Sequence, residues 1–201
     1  VFFVEGPGAY LAGYLSALMA KRRDTGRNPI VVSLIAGDPQ VNQNQVAGFS
    51  LGATAAVPGA TVLEGYSHDF VHPSTCTAIA NRQIDHGSTA VFADAGACGV
   101  GALRAAGVRG VWGVGAEEDM SYLGPQILVS TVKRLDRAVD YAIRSYLAGT
   151  LPQGHLDIGI ERGAVDIVGV NGVVPASIRA KVVKVEQRRM KLWTSWSTPL
   201  K

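Results

Sequence analysis

The chain has 201 residues, of which 47% are hydrophobic and 17% are charged, and its formal net charge is +3. This composition can bury a full-sized core, and it excludes an intrinsically disordered chain, which combines low hydrophobicity with high net charge. The 24 glycines have no three-residue period, which excludes a collagen-like chain, and no apolar run reaches the ~18 residues of a membrane span.

Apolar runs rich in β-branched residues alternate with helical patterns through the first half of the chain. We predict strands at residues 1–4, 29–35, 61–65, 89–93 and 109–114, and helices at residues 8–22, 40–56, 73–86 and 99–106. The strands are apolar throughout rather than alternately polar, which is typical of a parallel sheet covered on both faces. The repeated strand–helix order predicts an α/β fold built on a doubly wound parallel sheet.

The pattern changes after Val114. A polar loop of about ten residues, of the kind that carries binding groups, leads to Pro125. The remaining predictions, in chain order, are a strand at 126–131, a helix at 132–147, strands at 155–160 and 164–168, a basic helix at 176–190 and a docked tail at 192–200.

The positive charge is concentrated in the last helix and tail. Residues 179–201 hold seven Lys or Arg against Glu186 alone, a net charge of +6, which leaves −3 for residues 1–178. Apolar Ile178, Val182 and Val185 share one face of the helix, so we predict an amphipathic helix with a solvated basic face. Binding of nucleic acid or anionic lipid by that face is the alternative interpretation.

The candidate binding residues follow the strands, because ligands of open α/β sheets bind beyond the carboxyl ends of the strands. These segments are Glu5, residues 37–38, 66–72, 94–99 and 115–119. They combine carboxylates, glycine turns and one exposed-looking aromatic residue, Phe70. This set indicates a polar ligand with one flat apolar face.

Two of these residues, Glu5 and Phe70, and a further residue, Lys133, have two interpretations each. Glu5 is either a carboxylate favoured by a helix N-terminus or an acceptor for a ligand hydroxyl. Phe70 is either a loop anchor or a stacking platform for a planar ligand. Lys133 is expected at a helix N-terminus, where a cation is unfavourable, so a carboxylate partner or a ligand contact is expected for it.

We predict neither a metal site nor a phosphate site. His68 and His72 are four residues apart, but Pro73 makes their segment a loop without an obvious third ligand. The Gly96–Gly101 turn lacks both the dinucleotide fingerprint and the Lys-Ser/Thr of a phosphate loop, so no cofactor is predicted.

The two cysteines leave two interpretations open. Cys98 lies in a strand-to-helix turn, where a nucleophile is conceivable, but no histidine is identifiable as its base. A Cys76–Cys98 disulfide is the other interpretation, and it requires an extracytoplasmic location.

Six stretches together resemble the basic-membrane-protein family of substrate-binding lipoproteins, which includes purine-nucleoside receptors of ABC importers. They are residues 3–13, 32–37, 45–53, 91–101, 113–115 and 129–136, and Tyr-Leu-Ala-Gly and Thr-Val-Lys-Arg-Leu-Asp are the most specific motifs among them. The family is similar to type I periplasmic binding proteins, which have two α/β lobes with a ligand cleft between them.

This resemblance implies a division of the chain between the lobes. Residues 5–114 and 155–190 would form the C-terminal ligand-binding lobe, residues 126–150 would return to the N-terminal lobe, and residues 191–201 would be a tail. The rest of the N-terminal lobe would be missing, so we expect exposed apolar surface on the returning segment.

The resemblance also implies roles for site residues. Glu5 matches an acidic cleft position, Phe70 the aromatic residue that stacks on the base, and Lys133 the lysine on the hinge side of the cleft. Gly96 begins the turn in which the family has Gly-Gly. The family's ribose-binding aspartate is replaced here by Gly115, and Glu117 is the expected substitute.

The implied function is that of an extracytoplasmic solute-binding lipoprotein at the cell membrane, with an ABC permease as partner and a purine nucleoside as ligand. The resemblance implies no enzymatic activity, and the sequence shows no paired nucleophile and base. No nucleic acid is expected as a partner of these lobes. The alternative is a cytoplasmic ligand-sensing regulator with the same fold and a DNA-reading segment outside this chain.

Overall fold

The structure, a computed structural model, describes residues 1–23, 26 and 29–193, with side chains as far as residue 188. The strands are β1 (Phe2–Phe3), β2 (Val31–Ala36), β3 (Thr61–Tyr66), β4 (Ala90–Asp94), β5 (Trp112–Gly115), β6 (Ile127–Lys133), β7 (Asp157–Ile158) and β8 (Val165–Val168). The helices are α1 (Gly6–Arg23), α2 (Gln43–Ala56), α3 (Pro73–Asp85), α4 (Gly96–Val108), α5 (Leu135–Leu147) and α6 (Ala176–Trp193). Short 3₁₀ turns occupy Met120–Leu123 and Ile160–Arg162.

The main sheet has six strands in the order β3-β2-β4-β5-β6-β8. Strands β2, β3, β4, β5 and β6 run parallel to one another, and β8 pairs antiparallel with β6. Strands β1 and β7 form a separate parallel pair. The predicted α/β fold with a doubly wound parallel sheet is therefore confirmed.

Both faces of the sheet are covered, which explains why its strands are apolar at successive positions. In β2, Leu34 packs on the side of α1 and α2, whereas the next residue, Ile35, packs on the side of α3 and α4. In β4, Phe92 stacks on Phe49 of α2 at a ring distance of 5.1 Å, and Val91 faces the opposite side. Because successive side chains of a strand point to opposite faces, two buried faces require a continuous apolar run.

Two helix starts differ from the prediction for identifiable reasons. Helix α2 begins at Gln43 rather than at residue 40, since the Asp38 carboxylate accepts hydrogen bonds from the amides of Gln40 and Val41 and stabilises a turn there. Helix α5 begins at Leu135 rather than at residue 132, since Ser130–Lys133 pairs with β8 and continues the strand.

The returning segment at residues 126–150 divides into two parts. Its strand, β6, lies inside the main sheet between β5 and β8, so this part differs from the predicted placement in the other lobe. Its helix, α5, packs apart from the sheet, where Ala138 meets Leu156 and Ile158 beside the β1–β7 pair. The assignment of α5 to an N-terminal lobe stays a prediction.

The last helix extends further toward the C-terminus than predicted. Helix α6 extends to Trp193, so residues 191–193 belong to the helix and not to the tail. The predicted docked tail otherwise lies outside the described residues. Among the helices described, none is long and apolar enough to cross a membrane.

Candidate functional site

The predicted site residues meet at one edge of the sheet. The carboxyl ends of β2, β4, β5 and β6 lie together there because these strands are parallel. A cavity of about 380 Å³ at this edge is lined by Phe2, Phe3, Glu5, Val41, Asn42, Asn44, Gln45, Phe70, Asp94, Gly96, Glu117 and Lys133. A wider depression of about 740 Å³ shares four of these residues, and we call the two together the cleft. Its size is in the range of small-molecule sites.

Lys133 lies between two carboxylates at the end of β6. Its Nζ is 2.6 Å from Oε2 of Glu117 and 3.4 Å from Oε1 of Glu5. Burial works against the charged lysine, but the hydrogen bond to Glu117 and the charges of both glutamates outweigh it, so the pKa of Lys133 is raised. The carboxylate partner that the sequence predicts for this residue is therefore present.

Glu5 marks the beginning of α1, where its carbonyl oxygen accepts the first helical hydrogen bond from Ala9. Burial raises the pKa of its carboxyl group, and Lys133 partly offsets that effect. An interaction with the side-chain amide of Gln45, on α2, lowers this pKa as well. Both interpretations of Glu5 thus fit the structure, since it starts the helix and also lines the cavity.

Glu117 comes after β5 in a backbone conformation that is unusual for a residue with a side chain, with φ of +74°. Its carbonyl oxygen accepts a hydrogen bond of 3.2 Å from the backbone amide of Lys133. Glu117 is therefore joined to Lys133 through both backbone and side chain. This geometry brings a carboxylate into the cleft although position 115 is glycine.

Phe70 lies in the loop between β3 and α3, with 42% of its surface exposed in the cleft. The edge of its ring packs on Gly37, where any Cβ would collide with the ring. Its carbonyl oxygen lies near Gly96, which has φ of +55°, and accepts a hydrogen bond from the amide of Cys98. Glycine at positions 37 and 96 therefore lets the loop come close enough to present the ring.

The loop that carries Phe70 is held from its other side by Asp69. The backbone amides of Val71 and His72 donate to Oδ1 of Asp69 at 2.8 and 3.1 Å. These bonds hold the pKa of that carboxyl group well below its usual range. His72 also hydrogen-bonds to Asp69 through Nδ1, so the predicted loop at residues 68–72 is confirmed.

Asp94 lies in the candidate segment at residues 94–99 but was given no role there, and Asn42 was not predicted as a site residue. Asp94 ends β4 with only 4% of its surface exposed, and its Oδ2 accepts a 3.0 Å hydrogen bond from Nδ2 of Asn42. Burial, with the charges of Glu5 and Glu117, raises the pKa of Asp94 to about 7, although the hydrogen bond from Asn42 opposes the shift. A carboxylate that ends a fully apolar strand was the available signal.

Cys76 and Cys98 form a disulfide between α3 and α4, with their Cα atoms 5.4 Å apart. Both residues are fully buried. This pairing settles the open interpretation, because an oxidised cysteine has no thiolate to act as a nucleophile. In the part of the chain that the structure describes, no cluster of three or more His, Cys, Asp or Glu is arranged to hold a metal ion.

The cleft offers binding groups rather than a reaction centre. It holds aromatic side chains, four carboxylates (Glu5, Asp94, Glu117 and Glu118) and one cation, Lys133, which Glu5 and Glu117 already share. Such a set can stack on a flat group and accept hydrogen bonds from it.

Similar proteins were found at the level of sequence. Residues 1–192 match the family of PnrA-like ABC transporter substrate-binding proteins. The chain is 28% identical over 196 residues to basic membrane protein B of Borrelia garinii subsp. bavariensis, a match that covers 94% of this chain and 53% of that protein. The chain spans about half the length of the curated relatives that it matches.

Solved structures with the same fold include a transcriptional activator of the comK gene from Bacillus halodurans. It has a TM-score of 0.82 and 21% identity, and the match covers 94% of this chain and 63% of that chain. An ABC transporter solute-binding protein from Conexibacter woesei has a TM-score of 0.72 and 19% identity, over 99% of this chain and 64% of that one. The fold is thus that of the type I periplasmic binding proteins, and by the match over residues 1–192 the chain belongs to the PnrA-like family of ABC transporter substrate-binding proteins.

Proposed function

We propose that this chain is most of the ligand-binding C-terminal lobe of a solute receptor of an ABC importer, and that its ligand is nucleoside-like. The observation that carries the proposal is the convergence of Glu5, Phe70, Gly96, Glu117 and Lys133 on one cleft. These residues come from five separate segments of the chain, which the parallel sheet brings to one edge.

Each residue has a role in the proposed complex. The exposed ring of Phe70 stacks on the base, because a planar heterocycle and an aromatic ring bury each other's faces. Glu5 and Glu117 accept hydrogen bonds from the sugar hydroxyls, while Lys133 holds the two carboxylates in place. Because Gly96 has no side chain, the Phe70 loop can come close to it and present the ring to the ligand.

A second lobe, outside this chain, completes the cleft in this proposal. Helix α5 exposes Leu135, Val139 and Ile143 along one side, and Phe2 and Val41 are exposed beside the cleft. Apolar surface of this extent marks an interaction site. Helix α5 and the β1–β7 pair then lie on the side of the N-terminal lobe, and closing of the lobes on the ligand is a hinge motion.

The disulfide supports an extracytoplasmic location. Cys76–Cys98 is buried between two helices next to the Phe70 loop, and disulfides persist in oxidising compartments. Together with the family, this supports a lipoprotein at the cell surface that presents its closed form to a permease.

A cytoplasmic regulator with the same fold is the second candidate, and the likeness to the comK activator is the observation that favours it. The sequence upstream of this chain distinguishes the two. A lipoprotein signal with its cysteine supports the receptor, whereas a helix-turn-helix segment supports the regulator.

Calorimetry of the protein at its natural length with nucleosides tests the proposal. We expect nucleoside binding, and we expect Phe70→Ala to weaken it by about 1–3 kcal/mol, the range for a stacked base. Val71→Ala is the matched control, since Val71 is the exposed neighbour and does not line the cavity. Binding of other metabolites in place of nucleosides, or unchanged affinity after Phe70→Ala, would contradict the assignment.

A further inference from the structure

One residue that lines the cleft has a buried acceptor without a donor. Gln45 lines the cavity with only 7% of its surface exposed. Its side-chain amide interacts with the Glu5 carboxylate, and its Oε1 atom is buried without a partner among the described residues. A buried carbonyl oxygen without a donor is unfavourable, so a ligand group that donates to it is favoured.

Asp94, in the same cavity, is a second acceptor held in a fixed orientation. Asn42 donates to its Oδ2 through Nδ2, and the Oδ1 atom of Asn42 accepts a hydrogen bond from the backbone amide of Asp38 at 2.9 Å. The Asn42 amide is therefore bonded at both ends and cannot rotate without losing one of these bonds. It consequently keeps the Asp94 carboxyl group in place at the end of β4.

Among the charged and the buried side chains that line the cavity, acceptors outnumber free donors. Glu5, Glu117, Asp94 and the Oε1 of Gln45 all accept, whereas the ammonium group of Lys133 is already shared by the two glutamates. A ligand that brings N–H groups would correct this imbalance. A ligand with a phosphate or carboxylate would instead add negative charge beside three carboxylates.

We propose that Asp94 and Gln45 select ligands that carry an amino group, and that anionic ligands are excluded from the cleft. This inference rests on the proposed function and narrows its ligand class. An amino group supplies at least two N–H donors from one atom, which suits a lining where the Gln45 oxygen has no donor and the Asp94 carboxylate can accept further bonds. A carbonyl oxygen in its place donates nothing and leaves the Gln45 oxygen without a donor.

The titration of Asp94 supports this inference. Its pKa is raised to about 7, so the carboxyl group is partly ionised near neutral pH, and a cationic or donating ligand would favour the ionised form.

Isothermal titration of the protein at its natural length with matched ligand pairs tests the inference. The pairs are adenosine and inosine, cytidine and uridine, and glucosamine and glucose, and each differs in an amino group. We expect the amino member of at least one pair to bind about tenfold or more tightly, because its partner leaves a buried acceptor unpaired. Adenosine monophosphate is expected to bind more weakly than adenosine.

Asp94→Asn and Gln45→Met should each reduce the preference for the amino member. Asp85→Asn, an exposed carboxylate of α3 that pairs with Arg109, is the matched control and should leave the preference unchanged. Two variants are used so that misfolding of one, checked by circular dichroism, leaves the other informative.

The possible outcomes separate this inference from the proposed function. If nucleosides bind and none of the three pairs shows a preference, the amino-group inference is wrong and the nucleoside assignment stands. If only glucosamine binds, in preference to glucose, the inference stands and the nucleoside assignment is wrong. Binding of no probe, or a preference that survives both substitutions, overturns the role of Asp94 and Gln45.

Discussion

Asp94 combines deep burial with a negative charge, which is an unfavourable combination. It faces Glu5 from the start of α1, Glu117 from the loop after β5, Lys133 from β6 and the neutral amide of Asn42 from the start of α2. The one cation in this group is shared with two other carboxylates. The protein therefore loses stability when Asp94 ionises, as expected of a group kept for binding.

This argument predicts the pH dependence of an Asp94→Asn variant. The pKa of Asp94 is about 7 in the folded protein and has an ordinary value of 3.8. The folded state thus binds the proton more tightly, so the stability from this group is present below pH ~4 and is lost as the pH rises through ~7. We expect Asp94→Asn to raise the Tm relative to the parent, and more at pH 8 than at pH 5, measured by calorimetry. With Asp85→Asn as control, an equal gain at both pH values would contradict the argument.

The sequence could locate some site residues and not others, for a physical reason. Strand ends are visible in a sequence, and so Glu5, Phe70 and Gly96 were found at them. Lys133 was found by its place at a predicted helix start, and the family resemblance added the role of Glu117. Gln45 lies inside a helical pattern, and its approach to Glu5 depends on how α2 packs on α1. Such a contact between distant elements leaves no local signal.

At the scale of elements, helices α1 and α2 pack with their backbones in close approach. A Cβ on Gly13 would collide with the carbonyl of Phe49, and one on Gly52 would collide with the carbonyl of Tyr10. Near the start of α1, Gly48 faces the carbonyl of Gly6 in the same way. This packing places Gln45 beside Glu5, so the site depends on small residues that do not touch it.

We predict that Gly52→Ala destabilises the protein by about 1–3 kcal/mol, the usual cost of overpacking, although alanine has the higher helix propensity. The free energy of unfolding in urea is the measurement. Gly172→Ala is the matched control, because no atom lies within 4 Å of the position its Cβ would take. A neutral or stabilising effect of Gly52→Ala would show that α1 and α2 can move apart at little cost, which would contradict this prediction.

Element boundaries were predictable where local signals set them. The start of α3 follows from Pro73, which suits the first turn of a helix. The start of α5 was misplaced, since residues 130–133 are held in a strand by residues 165–168. Pairing with a segment more than thirty residues away overrides the local helical pattern.

At the scale of the whole molecule, α5 has an apolar side that no described part of the chain covers. Its buried side meets the β1–β7 pair through Ala138, while Val139, Ile143 and Leu147 are all more than half exposed. Their spacing places them on one side of the helix. In the proposed receptor, the second lobe covers this apolar stripe.

The stripe predicts the association behaviour of residues 1–201 as an isolated chain. With its apolar side uncovered, we expect concentration-dependent self-association in analytical ultracentrifugation, and we expect Val139→Ser with Ile143→Ser to abolish it. Val108→Ser, at the exposed end of α4, is the matched control. At natural length, the same double substitution should lower the Tm, because the stripe is then buried against the second lobe. If the isolated chain is monomeric and the Tm at natural length is unchanged, nothing packs on α5. The proposal that a second lobe covers this helix would then be wrong.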